Sequence, residues 1–331
     1  MSTSRRADPD ISVIVPTYNR GALLAETLQR LCQCSGADYE VVVVDQSPIQ
    51  APEARSVLKQ HPSIRYFHIT QTGLPNARNF GLSHARAPLV LFCDDDVAPS
   101  PDLVAAHLAN YSDPGVGGVA GRVLARLGSP PSQPRGHVGR VCRWTGSQTD
   151  RFDSTARSDV DHAQGCNMSF RKAALERIGG FDTRFGGSAF LEETDVCLRI
   201  KRAGHRIVFD PAAELVHLKE QAGGCRPQSL ADWYFWYGHN YALLFLKSMH
   251  RLSLPLFLLF RIATLLKGAL INREPRVPVW GLAGMLKAAS RYAGDLRRPE
   301  SIRVPTQGPA NSRVRPSPGS DLAPWPQRGQ M

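Results

Sequence analysis

Four apolar, β-branched runs alternating with helical patterns constrain this chain more than any other feature. Ile11-Ser12-Val13-Ile14-Val15, Val41 to Val44, Ile64 to Ile69 and Leu89 to Cys93 read as strands. The valines at 41–44 show no polar alternation, the pattern of a strand covered on both faces. Between the runs, Gly21 to Cys34 gathers Leu23, Leu24, Leu28 and Leu31 on a helical face, and Pro52 to Gln60 and Pro75 to Ala85 read as further helices. This βαβαβ rhythm predicts an α/β fold: a mostly parallel sheet flanked by helices. Ligands of such sheets bind beyond the carboxyl ends of the strands, where strand order reverses.

Composition narrows the partners. Of 331 residues, 42% are hydrophobic and 21% charged, which suits a folded protein with a buried core. A net charge of +11 favours anionic partners, either phosphorylated small molecules or an acidic membrane surface. No stacking-aromatic pattern or recognition-helix motif accompanies the charge, so nucleic acid is not an expected partner. The seven cysteines are scattered and lack paired metal-ligand spacing, which predicts reduced thiols and a cytoplasmic setting. Met1 to Asp10 is polar and charged, so no secretory leader is expected.

The sharpest chemical signal is Asp94-Asp95-Asp96, directly after the strand Leu89 to Cys93. Adjacent carboxylates repel one another unless a cation neutralises them. Oxygen ligands suit Mg²⁺ or Mn²⁺, which take one or two carboxylates together with substrate phosphates. Gly115-Val116-Gly117-Gly118-Val119-Ala120 spells a dinucleotide-binding pattern, but it follows no strand and comes too late to be a first βα turn. It reads as the glycine-rich start of a strand.

Further motifs keep the acidic triplet company. Val13 to Arg20 closes the first strand through Pro16-Thr17-Tyr18, and Val41 to Ser47 closes the second through Asp45. Gly73-Leu74-Pro75-Asn76-Ala77-Arg78-Asn79 opens the helix before the triplet. In this order and spacing the motifs resemble the inverting glycosyltransferases of family 2, which have the GT-A fold. The resemblance runs from about Ile11 to about Gly224.

The resemblance implies roles for individual residues. Pro16, Thr17 and Tyr18 pack beside the nucleotide base, and Asp45 hydrogen-bonds it, the base usually being uracil. Gln46 stands where an acid is commoner, so the base stays open between UDP- and dTDP-type donors. Arg78 and Asn79 line the phosphate side, Asp94 faces the ribose, Asp95 supports the loop and Asp96 ligates the metal. Gly165 and Asn167, in a G-x-N-M-x-x-R-like segment, lie near the donor sugar. Glu193 matches the general base in a segment usually written E-D-x-D-L-x-x-R; Glu192 and Asp195 remain alternatives. His217 completes the metal and diphosphate site.

The implied activity is transfer of a sugar from a nucleotide-diphosphate donor to a glycan or lipid-linked acceptor. Two other readings stand beside it: a sugar-nucleotide pyrophosphorylase-like enzyme, and a non-catalytic sugar-nucleotide-binding protein. The first should carry a Gly-rich loop after strand one, where Pro16-Thr17-Tyr18-Asn19 stands instead.

The resemblance divides the chain into a domain over 11–224, with a nucleotide half over about 11–125 and an acceptor half over about 160–224. Arg126 to Asp161, rich in Gly, Pro, Ser and Arg, reads as a long loop or flap. Helices are expected over Lys172 to Ile178 and Leu191 to Ala203. A helical extension follows over 225–298, and disordered segments are expected at 1–10 and 299–331. In the extension, Trp233 to Tyr237 and Tyr241 read as an aromatic belt at a lipid headgroup boundary. Leu252 to Ile271 reads as an in-plane membrane helix that buries Phe257, Leu258, Ile262, Leu265 and Leu266 while Arg261 and Lys267 snorkel. An anionic membrane surface at the inner face of the cell membrane is the expected partner of this region.

Overall fold

The computed structural model describes residues 8–49, 52–61, 63–125, 137–218 and 223–296. The disorder expected at both ends falls outside them, except at residues 8–10, as does 126–136 of the expected flap.

The first half alternates as anticipated. Strand β1 (Ile11–Thr17) leads into α1 (Gly21–Leu31), β2 (Tyr39–Asp45), α2 (Pro52–Gln60), β3 (Ile64–His68), α3 (Leu74–His84) and β4 (Leu89–Cys93). Then come β5 (Val97–Pro99), α4 (Leu103–Ala109), β6 (Val116–Leu124) and the short strands β7 (Arg140–Val141), β8 (Gln148–Thr149) and β9 (Ser158–Asp159). Next follow β10 (Asn167–Arg171), α5 (Lys172–Arg177), α6 (Glu192–Arg202) and β11 (Arg206–His217). Helices α7 (Leu230–Ser248), α8 (Leu254–Asn272) and α9 (Val277–Leu296) complete the described chain.

The main sheet runs β3-β2-β1-β4-β10-β6-β11-β5, with β9 beside β11. Strands β3, β2, β1 and β4 are mutually parallel, as are β6 and β11. Strand β10 is inserted antiparallel between β4 and β6. The glycine-rich motif at 115–120 enters β6, not a nucleotide-binding turn.

Burial on both faces explains the unbroken valine run. Val41 and Val43 join the core under α1, α2 and α4, with Leu24, Leu28, Val57 and Leu103. Val42 and Val44 join the opposite core under α3, α5 and α6, with Ala77, Leu82, Leu175 and Val196. The chain passes from β1 outward to β2 and β3, then returns to the other side of β1 as β4. Strand order therefore reverses between β1 and β4, and a crevice opens at their carboxyl ends.

The segment read as a flap is partly built into the fold. Val138, Phe152 and Val160 are buried in the core beneath α6, and β7 pairs with β8.

The extension departs from the sequence reading in two ways. Tyr234 and Tyr237 are buried between helices, and Phe190 stacks on Trp233 and Tyr237 at 5.8 and 6.0 Å between ring centroids. Tyr234 and Tyr237 thus seal α7 against its neighbours and do not face a lipid boundary. Arg261 does not snorkel either. It is 2% exposed, donates to Tyr237 Oη at 2.8 Å and sits 3.8 Å over the Tyr241 ring. A hydroxyl and electron-rich ring faces offset the cost of taking the guanidinium out of water.

Helices α7 and α9 cross closely because glycines meet there: a Cβ on Gly238 would come within 1.9 Å of the Gly281 carbonyl oxygen. Phe257 and Leu265 of α8, read from sequence as lipid-facing, pack inward on the protein, whereas Ile262 and Leu266 are 40% and 52% exposed. The span Arg251–Asn272 is long and apolar enough to cross a membrane, with a mean hydropathy of 1.9.

Candidate active site

The acidic triplet lies at the reversal point, immediately beyond β4. Its partners come from the turn after β1. Thr17 Oγ1 donates to Asp95 Oδ2 at 2.6 Å, and Arg20 Nη1 reaches Asp95 Oδ1 at 2.9 Å and Asp96 Oδ2 at 3.1 Å. Asn19 turns the chain between them in the left-handed region, at φ 54°, a conformation asparagine tolerates well. Asp95 is therefore held by the loop. Burial raises its carboxyl to about 6, with Arg20 and Thr17 pulling the other way.

His217, the last residue of β11, comes in from the far side. Its Nε2 lies 3.1 Å from Asp96 Oδ1 and 4.0 Å from Asp94 Oδ2. Burial opposes its charge, yet Cys166 and the carboxylates of Asp96 and Asp94 raise the imidazole to about 11. One ligand atom each from Asp94, Asp96 and His217 lie within 4.8 Å of one another. Two carboxylates and an imidazole, with excess negative charge between them, fit Mg²⁺ or Mn²⁺. Asp96 is only 1% exposed, so it is a buried group and not a loose loop acid.

A cleft with a cavity volume of about 320 Å³ opens over these acids. Of the residues singled out from sequence, Pro16, Thr17, Tyr18, Asp94, Asp95, Asp96 and His217 line it. Arg20, Gln46, Ser188, Cys225 and Arg226 also line it, together with Trp233, Tyr234 and Asn272 from the helical extension. Apart from Gln46, weighed beside Asp45, none of these eight stood out as a site residue in the sequence. Arg20 could have been found, since a cation two residues beyond a strand-end Tyr18 faces the same crevice as the triplet.

The remaining candidates stand behind the cleft wall. Asp45 is 2% exposed and accepts from the Tyr66 hydroxyl and, at 2.8 Å, from the Ser47 amide. Asn79 clamps Phe181, donating to its carbonyl and accepting from its amide, both at 2.8 Å. Asn167 is wholly buried: it donates to the Arg122 and Ala213 carbonyls at 2.9 Å and bonds His107 Nε2 at 2.8 Å. Asn79 thus fastens the Phe181 loop to α3, and Asn167 ties β10 to β6, β11 and α4. Arg78 links the two halves. It pairs with Glu192, donates to the Gly165 carbonyl at 2.9 Å and reaches Asp94 at 3.4 Å. A Cβ at Gly165 would lie 2.7 Å from Arg78 Nη2, so a larger residue there would displace the guanidinium.

The three acids of α6 differ in their surroundings. Leu191 precedes them in a left-handed conformation, φ 76°, strained for a leucine and held by its full burial. Glu192 is bound to Arg78. Asp195, 0% exposed, is held by Arg199 at 2.7 Å and by Lys247 of α7 at 2.9 Å. Glu193 is half-buried in the first helical turn.

Residues 12–179 match the family model described as Glycosyl transferase family 2. Among curated relatives, the Pre-mycofactocin glycosyltransferase of Mycobacterium tuberculosis is 28% identical over 216 residues, covering 63% of this chain and 42% of the relative. The Validoxylamine A glucosyltransferase of Streptomyces hygroscopicus is 30% identical over 208 residues, covering 54% and 48%. The chain thus spans less than half the length of either relative. A solved mannosyltransferase from Pyrobaculum calidifontis, in complex with GDP-Man and Mn²⁺, superposes with a TM-score of 0.51 at 20% identity, covering 88% of this chain and 82% of that one. GalNAc-T7 with UDP, GalNAc and Mn²⁺ gives 0.53 at 15% identity, covering 72% and 51%. These two similarities establish the shared GT-A fold.

Proposed function

The chain belongs to glycosyl transferase family 2, and from that premise we propose that it moves a sugar from a UDP- or dTDP-sugar to a hydroxyl of a glycan or lipid-linked acceptor, with inversion. The observation that carries this reading is the convergence of Asp94, Asp96 and His217 at the sheet's reversal point. These three residues would hold Mg²⁺ or Mn²⁺, which supplies positive charge opposite the departing diphosphate. The solved neighbours that bind GDP-Man or UDP with Mn²⁺ support a nucleoside diphosphate and a divalent ion here.

The protein's own groups account for the rest. Pro16, Thr17 and Tyr18 form the wall on the nucleotide side, and Arg20 and Arg226 bring cationic charge into the cleft. Glu193 takes the acceptor's proton, the role that its match to the family's acidic segment implies, while Glu192 pairs with Arg78 and Asp195 with Arg199 and Lys247. The acceptor oxygen bonds to the anomeric carbon as the bond to the diphosphate oxygen breaks. That bonding pair leaves with the nucleoside diphosphate, and attack from the opposite face inverts the centre. Such a reaction belongs to polysaccharide or glycolipid assembly, with the protein peripheral at the inner face of the cell membrane.

A thermal-shift panel of nucleotide sugars, with and without Mn²⁺, tests the reading. Stabilisation by a UDP- or dTDP-sugar that requires Mn²⁺ is the expected result. No shift with any nucleotide sugar would contradict it.

A further inference from the structure

The cleft does not end at the acids. It is also lined by Leu230, Trp233 and Tyr234 from the start of α7, Asn272 from the end of α8, and Pro227 and Leu74. All but Leu74 lie beyond the residues that match the family model. These six side chains carry no charge. Trp233 is fixed by stacking on Phe190, and the Asn272 amide is spent on Tyr234 Oη at 3.0 Å and the Gly268 carbonyl at 2.8 Å. The reaction centre thus opens into an apolar arm.

The arm leads outward along an apolar surface. Next to Asn272, Leu270 and Ile271 are 80% and 47% exposed, and the stripe continues over Leu259 and Leu266, at 66% and 52%. Exposed Arg251, Lys267 and Arg273 flank it. Between residues 251 and 294 the only acid is Glu274, which is paired with Arg276 at 2.9 Å. An apolar stripe bordered by cations and almost free of acids complements an anionic bilayer surface, in which leucines enter the acyl boundary while the cations stay at the headgroups.

We propose that the arm is an acceptor subsite for a membrane-resident amphipathic alcohol, whose apolar chain passes Leu230 and Trp233 and leaves the cleft at the Asn272 end of α8. This inference rests on the transferase reading of the same cleft. A chain in the arm covers apolar side chains that a fully polar acceptor would leave wetted. Seating α8 on the bilayer brings the Asn272 end of the cleft to the lipid surface, so such an acceptor need not leave the membrane.

The test titrates the full-length protein, with UDP and Mn²⁺ present, with methyl, octyl and dodecyl glucoside below micelle-forming concentrations. Affinity should rise at least tenfold from methyl to dodecyl. Trp233→Ser should lower dodecyl affinity at least tenfold, and Trp233→Phe should recover part of it. Leu259→Glu/Leu266→Glu, exposed on the stripe, should bind soluble dodecyl glucoside like wild type yet no longer float with phosphatidylglycerol–phosphatidylcholine vesicles. Affinity independent of chain length, or flotation of the double variant equal to wild type, overturns the proposal. UDP binding measured on each variant reports whether the donor half is folded. Its loss in the wild-type protein would count against the transferase reading and not against the arm.

Discussion

Arg78 and Glu192 form an ion pair whose side chains are 2% and 1% exposed, tying α3 to the first turn of α6. Breaking a buried pair on one side leaves an uncompensated charge, at a cost of about 3–5 kcal/mol. Arg78→Met should therefore lower stability by that order in urea denaturation. The double variant Arg78→Met/Glu192→Met should recover most of the loss, since it leaves no stranded charge. A single variant with an unchanged midpoint would show that the pair is not needed to hold the two helices together.

Glu193 is expected to act as the base, and Glu193→Gln changes its charge with little change in shape. Turnover should fall by about 10² or more while UDP affinity stays near wild type. Steady-state transfer kinetics paired with UDP calorimetry measures both. Turnover within a few-fold of wild type would move the role to Asp195 or Glu192.

Asp96 touches Arg20 and His217, so its removal has two consequences. Asp96→Asn keeps the volume and should abolish the Mn²⁺ dependence of UDP binding, read by calorimetry. Asp96→Ala should in addition lower the thermal midpoint, because it leaves Arg20 and His217 beside an empty volume where asparagine keeps a hydrogen-bond acceptor. Mn²⁺-dependent UDP binding that survives Asp96→Asn would place the ion elsewhere.

His107 links stability to pH. Burial lowers its imidazole to about 4, although the hydrogen bond it donates to Asn167 Oδ1 favours the charge. The unfolded chain keeps a value near 6.5, so it binds a proton that the folded protein refuses. The contribution is fully present above about pH 6.5 and is lost as pH falls through about 4, amounting to roughly 3 kcal/mol. Urea unfolding at pH 7 and pH 4.5 should show a smaller difference for His107→Gln than for wild type. Equal pH dependence in both would contradict this.

The sheet was legible because Ile14, Val42 and Val44 pack on one face while Val13, Val41 and Val43 pack on the other, leaving continuous apolar runs. The acidic triplet was legible because it directly follows such a run. Asn79 and Asn167 were harder: a polar residue in a motif looks the same whether it faces a ligand or satisfies buried carbonyls. The helical wall of the cleft was not legible, since Leu230, Trp233 and Asn272 come to the cleft only through the packing of α7 and α8. Arg261 misled for a related reason. A cation in an apolar helix signals snorkelling unless its partners are known, and Tyr237 and Tyr241 lie on another helix.

Release of nucleoside diphosphate from UDP- and dTDP-sugars, followed with Mn²⁺, after chelation and after Mn²⁺ is restored, tests the central claim most directly. The account predicts release that Mn²⁺ supports, chelation stops and added Mn²⁺ restores. No release from any nucleotide sugar in the presence of Mn²⁺, or pyrophosphate exchange in its place, would contradict it.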